Sequence, residues 1–145
     1  MKPGTIYLLY RTVTWLFAAL LLMAGITEAI AHESGKEIMR HLGYPEHVLH
    51  VLGVGKILAA VALVQRRFPT LREWAYAGVT FNLLGAFVAR AAAGDSAGLI
   101  ASPLIFLSIL VVSYFLGKQA DRSGRRGQQP PVVQPLAPGP AVRAA

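Results

Sequence analysis

Apolar positions along this chain gather into four long runs: Thr12–Ala31, Val48–Val64, Trp74–Ala93 and Gly98–Gly117. A hydrocarbon core about 30 Å thick takes about 20 helical residues to cross, with about 17 as the lower limit. All four runs qualify by length, the second barely. Backbone in lipid must satisfy its own hydrogen bonds, so each run reads as a helix. There is no alternation of the kind a barrel strand needs and no long internal repeat. The pattern predicts an all-α protein, a transmembrane four-helix bundle.

The polar connections between the runs are short. In the longest, His32–His47, Ser34 and Glu37 match an S-x-x-E capping box, Ile38, Met39 and Leu42 make a small apolar face, and Gly43-Tyr44-Pro45 ends it. That describes a short helix lying in the interface. Between the second and third runs, "QRRFPTLREW" carries a second capping box, Thr70 with Glu73, and Tyr44, Trp74, Tyr76 and Tyr114 read as interfacial anchors. "AGDSAG" is a tight turn with Asp95 and Ser96 as a helix cap. From Arg122 onward the chain is Pro-, Gly- and Gln-rich with no aromatic residue, a composition too poor in apolar area to offset ordering entropy. The expected organisation is a membrane domain over residues 1–121 and a disordered basic tail over 122–145.

Composition supports this. Hydrophobic residues make up 54% and charged residues 14% of the 145, against roughly a quarter charged in a soluble domain. The absence of cysteine excludes disulfides, thiolate metal sites and dithiol redox chemistry in this chain. The net charge of +7 sits mostly on one side of the expected membrane. Lys2, Arg11, Arg66, Arg67, Arg72 and the basic cluster from Lys118 share that side, whereas the first loop holds only Lys36 and Arg40 and the third holds no Lys or Arg. The positive-inside rule then puts both termini in the cytoplasm, in the cell membrane. A basic tail after a hydrophobic body fits membrane topology, so nucleic acid is not an expected partner. A competing reading of Ala29-Ile30-Ala31 as a signal-peptidase site would remove the first run; its length and the nearby Glu28 argue against cleavage.

The informative residues are charges inside the runs. Lys56 stands in the middle of Val48–Val64, and a charge at a helix centre in lipid costs roughly 2.5–3.5 kcal/mol. Its helical neighbours Leu52, Gly53, Ala59 and Ala60 are mostly small, as where another helix packs closely. Glu28 ends a stripe of Thr14, Ala18, Leu21 and Gly25, and Gly78, Asn82, Ala86 and Arg90 recur at four-residue steps. In the expected topology Glu28, Lys56 and Arg90 all fall in the outer half of the membrane. Glu28 is expected to pair with Lys56, Arg90 or both. Glu28, Lys56, Asn82 and Arg90 thus form an intramembrane polar cluster, either a register-fixing structural device or a pocket for a ligand, quinone or proton; lysine or arginine snorkelling without a partner is the third reading.

Other chemistry is sparse. His47 and His50 are spaced i, i+3 with His32 and His41 nearby, but solvated histidines are the default and no metal is assigned. Ser102, Ser108 and Ser113 read as bonded to their own helix or to a neighbouring one. No Ser/His/Asp set, phosphate loop or paired carboxylates appear, so no catalytic residue is assigned.

The segments "HLGYPEHVLHVLGVGKILAAVALV", "RRFPTLREWAYAGVTFNLLGAFVA", "GD" and "PLIFLSILVVSYFLGK", in that order, resemble the DoxX-like family of small bacterial four-helix membrane proteins over about Leu9–Lys118. The resemblance implies a four-helix membrane bundle, with Lys56 as the family's helix lysine and Arg72-Glu73-Trp74 as its interface turn. The wider group includes a subunit associated with quinone-linked thiosulfate oxidation and other redox-associated membrane proteins. This chain departs from relatives in having Ala89-Arg90 where Ser-His often precedes the "GD" turn, and Asn82 where an acidic residue is often found. The resemblance implies little about reaction; taken with the intramembrane polar cluster, it leads to the expectation of an accessory subunit of a quinone-linked or redox-associated membrane system, with quinone as the candidate cofactor and a redox complex or a second copy as partner. The alternatives are a non-enzymatic membrane-protein assembly helper and a small-ligand-binding membrane protein.

Overall fold

The structure, a computed structural model, describes residues 3–126. Five helices follow one another: α1 Pro3–Ala29, α2 Glu33–His41, α3 Val48–Val64, α4 Pro69–Ala92 and α5 Ala97–Arg126. The four apolar runs are α1, α3, α4 and α5, and the short connecting helix is α2; no strand occurs among the described residues. Three of the helices, α1, α4 and α5, are long and apolar enough to cross a membrane, while α3, at 17 residues, is shorter. The expected boundary at 121 does not interrupt α5, which continues to Arg126, and the expected tail beyond it lies outside the described residues.

Helix ends explain the short connections. α1, α2 and α4 each close with the same paired backbone bonds, a 6→1 and a 5→2: His32 N to Thr27 O with Ala31 N to Glu28 O, Tyr44 N to Met39 O with Gly43 N to Arg40 O, and Asp95 N to Arg90 O with Gly94 N to Ala91 O. This closure needs a left-handed residue. Gly43 and Gly94 take φ of 77° and 74° without a Cβ to clash, whereas Ala31 adopts φ 48° against its preference.

The two capping boxes read from the sequence do not form. α2 begins at Glu33, with His32 as N-cap, and Ser34 lies inside the helix bonded to the His32 ring at 2.9 Å. α4 begins at Pro69, where the missing N–H costs nothing, and Phe68 is its N-cap. Gln65 rather than Thr70 braces that end, donating to Phe68 O at 2.7 Å and accepting from Phe68 N at 2.8 Å. Glu73 accepts instead from Lys118 at 2.6 Å, and Arg72 bonds Asp121 at 3.0 Å and the Tyr10 hydroxyl at 3.2 Å, so α4 is tied to α5 and α1 at this end.

The long helices pack in a ring, α1 on α3, α3 on α4, α4 on α5 and α5 on α1. The closest approach is α1 on α3. A Cβ on Gly53 would overlap the backbone of Ala29 and stand 2.7 Å from Gly25 O, and one on Gly25 would lie 2.9 Å from Gly53 O. Small residues at a helix crossing allow the backbones themselves to touch, the usual source of packing energy where lipid removes the hydrophobic drive. The core joins Phe17, Ala18 and Leu21 to Ala60, Leu63, Ala75, Tyr76, Val79 and Leu110. Large apolar side chains such as Leu16, Met23, Val51, Leu58, Phe81 and Phe115 point outward.

Tyr76, expected at the interface, is buried. Its hydroxyl meets Ser113 Oγ at 3.0 Å, and Ser113 Oγ meets Thr14 Oγ1 at 2.8 Å, joining α4, α5 and α1. Ser102 and Ser108 bond within their own helix. Pro103, inside α5, cannot donate to Leu99 O, and Ser102 Oγ donates to that carbonyl at 2.9 Å in its place.

Candidate functional site

At the α2 end of the bundle the helices part around a cavity of about 590 Å³. Phe17, Leu21 and Phe106 are among its apolar walls, and Ile38 and Met39 of α2, with Leu42 just after it, line it as well. The apolar face read in α2 is therefore turned toward this cavity. The size lies within the range of small-molecule sites, roughly 300–1,000 Å³, which are mostly apolar with a few placed polar groups.

The polar groups on this cavity include Glu28 from α1, Lys56 from α3, and Asn82 and Arg90 from α4. Residues 62 positions apart in the chain thus line one cavity. Lys56 Nζ donates to Glu28 Oε1, with the two side chains only 18% and 23% exposed. An ammonium has three protons and this bond uses one. Glu28 Oε2 is buried and has no hydrogen-bond partner among the described residues. The pair therefore presents spare donor capacity and a spare acceptor, side by side, on the wall of the cavity.

Arg90 does not reach Glu28. Its Nη1 donates to Asp95 Oδ2 at 2.8 Å, and His41 Nε2 donates to Asp95 Oδ1 at 2.5 Å. Asp95 is not a helix cap; its carboxylate, 6% exposed, joins the turn after α4 to the end of α2. The His41 hydrogen bond first, then Arg90, hold the Asp95 carboxyl below the usual carboxylate range against the opposing effect of burial. The close of α4 brings this about, because the Asp95 N–H folds back onto Arg90 O and sets the carboxylate beside the guanidinium. The Arg90–Asp95 half was within sequence reach, being five residues apart at a Gly turn. The His41 half, 54 residues away, was not.

Two further contacts brace this end. Arg40 of α2 donates to Glu46 from Nε at 2.9 Å and Nη2 at 2.6 Å, and the His50 ring of α3 donates from Nδ1 to Ala29 O, the end of α1, at 2.8 Å. Three of the four histidines are thus engaged separately, with His32 on Ser34, His41 on Asp95 and His50 on the α1 terminus. No group of three metal-ligating side chains comes together among the described residues.

Helices clad in apolar side chains, with Glu28, Lys56 and Arg90 set on an internal cavity, define a helical membrane protein. The comparison with known families agrees: the profile of the DoxX-like family matches residues 12–113, and the chain belongs to that family. No curated protein and no solved structure matches it.

Proposed function

We propose that this protein is a non-catalytic accessory subunit of a redox-associated membrane system, holding a lipid-soluble carbonyl ligand of the quinone class in the cavity at Lys56 and Glu28. The observation that carries this reading is the buried Glu28 Oε2, without a partner among the described residues, beside an ammonium with protons to spare. A quinone carbonyl accepts from Lys56; a quinol hydroxyl donates to Glu28 Oε2. Asn82 offers an amide to the second oxygen of such a ring from the α4 wall. In this reading α3 is the fourth membrane span, near the lower length limit of about 17 residues. The excess of Lys and Arg at the end opposite α2 sets both termini in the cytoplasm.

The test is equilibrium binding of a chainless benzoquinone and its quinol to the full chain in lipid nanodiscs. Lys56→Met should weaken quinone binding about tenfold or more, the loss of one charge-assisted hydrogen bond of about 1.5–3 kcal/mol. Glu28→Gln should weaken the quinol more than the quinone. Absence of binding by the wild-type chain, or Lys56→Met binding as wild type while keeping its helical far-UV spectrum, overturns the reading. The accessory role is tested by purification from the native membrane, where a co-purifying redox protein is expected.

A further inference from the structure

A second cavity, of about 480 Å³, lies between α3 and α4. It opens outward, since Val51, Leu58 and Trp74 on its walls are 69%, 64% and 71% exposed. Two glycines keep it open: a Cβ on Gly55 or on Gly78 would meet no atom within 4 Å. From Asn82 to Leu71 the groove follows α4 for about 16 Å, at 1.5 Å per residue. It shares Leu52, Lys56 and Asn82 with the cavity that holds the ion pair. An outward-facing apolar groove therefore runs into the cavity of the ion pair, and the junction carries the same lysine and amide.

That continuity decides what fits. Bulk lipid chains gain little from such a groove, because hydrocarbon is as apolar as its walls and only packing is added. A chain tethered to a head group already held at Lys56 is delivered at high effective concentration and needs no second encounter. A neighbouring helix would cover the groove but has no use for its polar end. We propose that the α3–α4 groove binds the alkyl or isoprenoid chain of the same molecule whose head group occupies the Lys56–Glu28 cavity. The ligand is thus a single-chain amphiphile that leaves the bundle sideways between α3 and α4. This inference rests on the preceding reading of the cavity and extends it to the chain.

The experiment compares a chainless benzoquinone with the same ring carrying a decyl chain, in nanodiscs, with affinities corrected for bilayer partition. Wild type should prefer the decyl ligand about tenfold, a difference of about 1.4 kcal/mol. Gly78→Leu puts a side chain into the groove at a position where a Cβ meets no atom within 4 Å, and should bring the ratio close to one while the chainless ligand binds as before. Gly55→Leu repeats the test from the α3 wall. If the preference survives both variants, or if chainless binding falls in parallel, the groove does not hold the chain. Equal binding of both ligands by wild type sinks this inference and leaves the cavity reading intact, whereas binding of neither sinks both. A change in oligomer size with an unchanged ratio makes the groove a contact between copies and overturns the proposal.

Discussion

The Glu28–Lys56 pair sets up a double-mutant cycle with opposed expectations. Lys56→Met strands a carboxylate whose second oxygen is already without a partner, and Glu28→Leu strands an ammonium. Removing one member of a buried pair costs about 3–5 kcal/mol. With side chains 18% and 23% exposed, the lower end applies, about 3 kcal/mol for each single variant. The double variant leaves no charge behind and puts apolar side chains into an apolar wall. Buried pairs so replaced are often neutral or more stable, so it should lie within about 1 kcal/mol of wild type. Independent sites would instead add to about 6 kcal/mol. The assay is reversible unfolding by sodium dodecyl sulfate in mixed micelles, followed by far-UV circular dichroism. Additivity to within about 0.5 kcal/mol refutes the claim that the two groups neutralise each other inside the bundle.

Three further outcomes follow from particular contacts. Gly53→Ala should destabilise the protein by about 2–3 kcal/mol in the same unfolding assay, since its Cβ meets the α1 backbone, while Gly55→Ala, facing open space, should not. Ala31→Gly should raise stability by about 1 kcal/mol by relieving the left-handed φ of 48°, and no gain in the unfolding midpoint would contradict that account. Asp95 has its carboxyl pKa lowered in the folded state, so its contribution is fully present above the unfolded value of about 3.9 and is lost as pH falls through the lower folded value. The thermal midpoint of wild type should therefore exceed that of Asp95→Asn at neutral pH, and the two should converge on acidification below pH 4.

Much of this fold was legible in the chain because a bilayer leaves few choices. Apolar runs that long must become helices, and the Gly turns after α2 and α4 mark where they stop. The capping boxes misled because their spacing also occurs one or two residues inside a helix; Pro69 and Gln65 mark the start of α4 better than Thr70 does. Tyr76 misled because tyrosine suits an interface and a buried hydroxyl network equally well, and only Ser113 of α5 tells them apart.

The sequence by itself determined the class of protein, the helices and the presence of charge within the apolar runs at Glu28, Lys56 and Arg90, since each follows from local transfer energies and spacing along one helix. Pairing was decided by the tertiary structure. Which carboxylate meets which cation depends on how helices rotate against one another, and that is set by backbone contact at Gly25 and Gly53 and by the turn that carries Asp95 back to Arg90. For that reason Lys56 meets Glu28 on the adjoining helix, Arg90 turns instead to Asp95, which His41 shares, and the space left between them is a cavity with one carboxylate oxygen unmatched among the described residues.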